Sequence, residues 1–251
     1  MKSMMENKML VRRALEIWSV VDAVAYEWPV GTRVRERLGQ LMGAPIEPEA
    51  GETSMALNRR MRSIVQVALN DERTGHEQAA DLYEWIVAEW GGVRAGRDGV
   101  RAWALADVGW HGGYQDERLM AFADRQGRKR ISSWSKIFAY AAPDDHAIYD
   151  SRVAVALNIA LHRCGETARF FMPESKIYRP KGGPPRPNAV ARARKALGRN
   201  HELGYRDYLV WAKAVREQLQ AKGEAADLLA IEARLFAAAP DMAGDFLGAG
   251  M

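Results

Sequence analysis

Asp150 is the residue of this sequence best placed to do chemistry. It stands in "HAIYDSRVAVAL", residues 146 to 157, behind the apolar run Ala147, Ile148, Tyr149 and ahead of an apolar helix. Asp is a favoured helix N-cap, because its side chain accepts bonds from orphan backbone N–H groups and its charge suits the helix dipole. Capping alone accounts for the residue. The apolar triplet in front of it adds something, since it sets the carboxylate at the edge of a core, where its orientation is fixed. A carboxylate held in that way can stabilise positive charge in a transition state and can steer or deprotonate water.

Other routes to catalysis find little support. The five histidines, His76, His111, His146, His162 and His201, form no His-x-x-x-His pair and no HExxH helix, so no catalytic zinc or other metal is expected. His111 in "WHGGY" and His146, four residues before Asp150, are either turn residues or neighbours of the site. There is no GxSxG elbow for a serine nucleophile, and Asp144 with Asp145 reads as a linker turn. No Gly-rich phosphate loop follows a strand, which argues against a nucleotide cofactor. Cys164 is the only cysteine, so an internal disulfide and a cysteine-based zinc site are excluded and a reducing cytosol is expected.

These residues need elements to hold them. Apolar side chains recur at helical spacing almost everywhere, as in Leu10, Ala14, Ile17, Trp18 and Val21, and strand-like alternation is hard to find. Gly and Pro punctuation cuts the chain into helices near residues 8–26, 31–42, 54–70, 76–90, 98–109, 114–126, 132–142, 150–163, 188–198, 202–221 and 224–238. The fold class is all-α. The chain reads as a single helical domain over 1–251, with two lobes: about 1–95 plus the C-terminal helices, and about 96–165. "GAPIEPEAGE" at 43–52 and "RPKGGPPRPN" at 179–188 are loops, and the final "DMAGDFLGAGM" reads as a fraying tail.

Among 251 residues, 48% are hydrophobic, enough for a substantial core. Lys and Arg total 36 against 32 Asp and Glu, a net charge of +4 that suits a polyanion partner. No apolar run reaches the ~18 residues of a membrane span, and "MKSMMENKMLVRR" lacks a signal peptide's apolar centre. A soluble cytoplasmic protein is expected. The basic turn "RQGRKR" before the helix at 132 offers Gly127, Arg128, Lys129 and Arg130 to a DNA phosphate, or is an ordinary solvated turn. The same two readings apply to the loop with Lys181 and Arg186.

The stretch "SKIFAYAAPDDHAIYDSRV" resembles the helix-hairpin-helix DNA glycosylase superfamily, in particular its 8-oxoguanine glycosylase-like branch. There a hairpin, a helix and a short linker lead to an apolar triplet and an Asp that caps the next helix, as in "VPVDxxV"; the matching letters are "AIYDSRV". A second similarity lies in "IEARLFAAAP", where a "QAVLFSADL"-like helix of the family carries a base-reading Gln four residues before a base-stacking Phe. Glu232 falls on the Gln and Phe236 on the Phe. The resemblance covers roughly residues 100 to 240. The family's hairpin usually reads Leu-Pro-Gly-Val-Gly, whereas this chain has one Gly followed by Arg128, Lys129 and Arg130. Its nucleophilic Lys, by the family's interval from the Asp, would fall on Ile131; Lys129 and Lys136 are the nearest lysines.

The resemblance implies a DNA glycosylase with a two-lobed helical fold, one that flips a damaged or modified base and hydrolyses its N-glycosidic bond to leave an abasic site. Asp150 would be catalytic, with Lys129 and Lys136 as candidate amines, though the displaced register favours a monofunctional enzyme that uses water. Glu232, Phe236, Trp134 and Trp110 would contact the base, the last two lying at predicted helix ends. Gly127, Arg128, Lys129, Arg130, Arg152, Lys181 and Arg186 would hold the DNA backbone. An ionised Glu232 is acceptor-only and suits an amino group, which points to a modified cytosine. Partner DNA, no cofactor, a monomer and a nucleoid-associated location complete the expectation, in base-excision repair or antiphage defence. Two alternatives stay open: a non-catalytic reader of modified or distorted DNA on the same scaffold, and a helical protein-interaction domain.

Overall fold

A computed structural model of the chain describes residues 2–93, 121, 128, 130–173, 188–198 and 202–249, with side chains from residue 7 onward. The expected helices near 98–109 and 114–126 lie outside the described residues except for Ala121, as does the Pro/Gly loop at 179–188 except for Asn188. In chain order the helices are α1 (Lys2–Arg12), α2 (Ala14–Ser19), α3 (Thr32–Met42), α4 (Ser54–Asn70), α5 (His76–Glu84), α6 (Ile131–Ala141), α7 (Ser151–Arg163), α8 (Ala189–Ala196), α9 (Tyr205–Gln220) and α10 (Leu228–Gly248), with a wider π turn over Trp85–Trp90 continuing α5. Among the described residues there is no strand, only an isolated bridge between Phe170 and Leu203. No described helix is long and apolar enough to cross a membrane.

The chain divides into two compact units. One comprises Met1–Tyr26 with Tyr149–Met251, the other Glu27–Ile148. In the first, α7 is the central helix. Every residue from Val153 to Leu161 is buried, as expected of a helix apolar all round, and α10 is its main neighbour, with α2 and α8 also against it. The polar exception, Asn158, is fully satisfied: its amide donates to the carbonyls of Ala154 (2.8 Å) and Phe170 (3.0 Å), and its Oδ1 accepts from the Phe170 N–H (2.8 Å). That bonding ties the irregular segment after α7 back onto the helix.

Two sequence expectations are corrected in this unit. The helix expected over 8–26 is instead α1 and α2, and the chain leaves helical geometry at Val20. The reason is tertiary: Arg163 donates to the Val20 carbonyl and Arg234 to that of Val21, supplying from side chains the partners that helical N–H groups would have given. The expected fraying tail is part of α10, which runs through Pro240 to Gly248. Pro240 has no N–H and so leaves the Phe236 carbonyl without its helical donor. Beyond it, Met242 and Ala243 are completely buried, and that burial holds the last turns together.

The second unit is organised by indole rings. The Trp85 N–H donates to the Val34 carbonyl and the Trp90 N–H to Asn58 Oδ1, both at 2.8 Å, while both rings meet Tyr140 of α6 edge-on. The buried Arg62 lays its guanidinium 5.2 Å from the Tyr140 ring centre, a cation–π contact inside the core. Gly91 ends the π turn where a side chain would not fit: a Cβ there would sit 2.8 Å from the Ile86 and Val87 carbonyls and from Cδ of Lys136.

Candidate active site

Asp150 takes an extended backbone conformation and caps α7. Its Oδ1 accepts from the N–H groups of Arg152 (2.9 Å) and Val153 (3.0 Å), leaving Oδ2 outside both bonds. The preceding Ala147, Ile148 and Tyr149 are buried, so the apolar triplet does set the carboxylate at a core edge. Tyr149 anchors the turn. Its hydroxyl donates to the Phe171 carbonyl, and its ring packs on Tyr205 and Tyr208 with centroids 6.1 and 5.2 Å away.

Tyr208 is the unforeseen member of this site. It is fully buried, its ring lies flat against Trp211 (6.3 Å, 26°), and its hydroxyl has no hydrogen-bond partner among the described residues. Burial pushes its phenol well above the usual value, and the charges of Glu232 and Asp150, with the neighbouring Tyr205 and Tyr149, push it further the same way. Glu232 itself is buried. One turn on, Phe236 receives the Arg152 guanidinium 4.4 Å from its ring centre and the edge of Tyr26 at 6.3 Å.

Helix packing thus joins two motifs that are far apart in the chain. "YDSRV" supplies Tyr149, Asp150 and Arg152; "EARLF" supplies Glu232 and Phe236; α9 supplies Tyr205 and Tyr208. The tyrosine pair, spaced i and i+3 in "YRDY" at the start of α9, was the available sequence signal for the third contributor. Arg152, expected on the DNA backbone, covers one face of Phe236.

The remaining expected residues lie elsewhere. Trp134 and Lys136 belong to the other unit, and both are buried in its core. Trp134 packs on Phe138 at 5.2 Å, and the Lys136 ammonium donates to the Ser132 carbonyl at 2.6 Å within its own helix. His146 is also buried there, edge-on to Phe138. Arg128 and Arg130 are exposed, and Arg130 precedes α6 with a left-handed φ of 50°. The chain thus enters α6 through a left-handed conformation on a non-glycine residue, at a cost of order 1 kcal/mol. Gly127, Lys129, Trp110, His111, Lys181 and Arg186 lie outside the described residues.

Among the described residues no group of three His, Cys, Asp or Glu side chains could hold a metal ion. Cys164, at the C-terminus of α7, has its thiol pKa raised by burial and by Glu16, the reverse of what an activated nucleophile needs. Comparison with protein-family models, with curated proteins and with solved structures returns no match for the chain.

Proposed function

We propose that the protein is a DNA glycosylase of the helix-hairpin-helix type, which flips a modified base out of DNA and hydrolyses its N-glycosidic bond. One observation carries the reading: the two motifs that resemble the family meet near the N-terminal end of α7, where the Arg152 guanidinium lies 4.4 Å from the Phe236 ring centre. A two-lobed glycosylase fold, a DNA partner, a monomeric state and a nucleoid location belong to the same proposal.

The chemistry follows from the cap. With Oδ1 held by two backbone N–H groups, Oδ2 is the oxygen left to face the sugar. As the glycosidic bond lengthens, C1′ gains oxocarbenium character, and a fixed carboxylate beside it stabilises that charge without reorganising. Water then adds to C1′ and gives a proton to Asp150, while the bonding pair leaves with the base, so that an abasic sugar remains. Lys136, bonded inside its own helix, favours water over an amine as the nucleophile. Glu232 would accept from the exocyclic amino group of a modified cytosine, and Phe236 would stack on its ring, on the face opposite Arg152 or after Arg152 swings away.

Abasic sites can be counted after incubating the protein with modified oligonucleotides and with genomic DNA from unmodified and hypermodified sources. Base release is expected from at least one substrate, with a loss of about 10²–10³-fold in Asp150→Asn. The fold should persist, since Asn caps a helix about as well as Asp. Borohydride should trap no adduct. No release anywhere, with salt-dependent DNA binding retained, would make the protein a reader; absence of that binding as well would sink both readings.

A further inference from the structure

The same unit holds a second candidate site at the opposite end of α7. Thirteen residues at ~1.5 Å each separate this end from Asp150 by roughly 20 Å. Here a cavity of about 580 Å³, open to solvent, is lined by Ile159, His162 and Arg163 of α7, Arg192 and Ala196 of α8, and the last turns of α10 around Asp245 and Phe246. Its size is that of a small-molecule site.

The cationic groups differ in availability. Arg163 is engaged by the Val20 carbonyl, by Asp22 at 3.2 Å and by Asp245 at 3.6 Å. Arg192 is exposed and makes no ion pair among the described residues, so its planar fork is open to the cavity. His162 stands at 90° to Phe246, centroids 5.4 Å apart, with Arg169 Nη2 3.5 Å from its Nδ1. An imidazole offers a ring N–H donor to an anion in either tautomer. The negative end of α7 does not oppose an anion here. The carbonyls of Ala160, Leu161 and His162 are taken by the N–H groups of Cys164, Glu166 and Gly165. Apart from Asp245, whose carboxylate is paired with Arg163, the rest of the lining is apolar and aromatic.

We propose that this cavity binds a small aromatic phosphate ester, of the size of a mononucleotide, with Arg192 and His162 on the phosphate and Phe246 against the ring. The phosphate ester can come as a free nucleotide or as one nucleotide of a DNA strand. The site is independent of the base-release reading and survives its failure.

Calorimetric titration of the full chain with a nucleoside monophosphate, the matching nucleoside, inorganic phosphate and a short single-stranded oligonucleotide tests it. Saturable binding of the monophosphate is expected, weakened about tenfold in Arg192→Gln and about fivefold in Phe246→Ala. Arg192 is exposed, so its variant keeps the fold, and an unchanged melting curve checks this. If the oligonucleotide binds more tightly than the free nucleotide and loses the same factor in Arg192→Gln, the source is DNA; if it does not compete, the source is the free nucleotide. Either result supports the site. No saturable binding of monophosphate or oligonucleotide, binding indifferent to Arg192→Gln, or inorganic phosphate binding as well as the monophosphate would overturn it.

Discussion

The two units use the same kinds of residue to different ends. Each is built on a buried helix, α6 in one and α7 in the other, and each lays an arginine on an aromatic ring. Around α6 the indole N–H groups of Trp85 and Trp90 reach acceptors, and the Lys136 ammonium turns back onto its own helix. Around α7 the Tyr208 hydroxyl and the Trp211 N–H find no acceptor among the described residues, and burial, reinforced by the charges of Glu232 and Asp150, raises the Tyr208 phenol. Buried polar atoms without a partner occur in the α6 unit too, Arg35 Nε among them, so what sets the α7 unit apart is a capping carboxylate on the same helix as the Arg152–Phe236 contact.

Three experiments can break or sharpen that contrast. The largest effect is expected from Trp134→Ala in the α6 core, which should destabilise the protein by about 3–5 kcal/mol in denaturant titration, since a fully buried indole leaves a cavity. If Trp134 were a base-contacting residue in place of a core one, the loss would appear in DNA affinity with little change in stability. Next, Gly91→Ala should cost about 1–3 kcal/mol in the same measurement, because the added Cβ meets two backbone carbonyls that cannot give way. A neutral result would mean that the approach of Lys136 to the π turn is loose.

The smallest change is expected from Tyr208→Phe. Removing a buried hydroxyl that has no partner should leave stability unchanged or raise it by up to about 1 kcal/mol, whereas a loss of more than that would reveal a partner. Its pH dependence has a definite sign. The phenol pKa in the folded protein lies above the unfolded value near 10, so the unfolded chain loses its proton first. The contribution of Tyr208 is whole below pH ~10 and fades as pH rises towards the folded value. Alkaline unfolding of Tyr208→Phe should therefore begin at higher pH than that of the parent protein.

Much of this was legible in the residues. Helices over 31–42, 54–70, 76–90 and 132–142 follow from local spacing, and each is found within about two residues of its expected limits. Asp150 is a cap because an Asp between a linker and an apolar helix has a local reason to be one. Local reasoning fails where the deciding partner is remote. Trp134 is expected at the site from its place at a helix end and Lys136 from the family's lysine interval, yet every residue from Trp134 to Ala141 is buried, a fact that depends on what packs around α6. The end of α10 looked like a tail because Pro240 and its glycines weaken a helix, and burial of Met242 and Ala243 outweighs that weakness.

The sequence by itself determined a helical protein, the positions of most described helices and the capping carboxylate at Asp150, because these depend on neighbours a few residues away. Only the tertiary structure decided that Arg152 covers Phe236, that Tyr149 packs on Tyr205 and Tyr208, and that Lys136 lies in the core of the other unit. Those are contacts between helices distant in the chain, and their register is set by how side chains of α7, α9 and α10 interlock, a three-dimensional fit that spacing along one strand of letters does not encode.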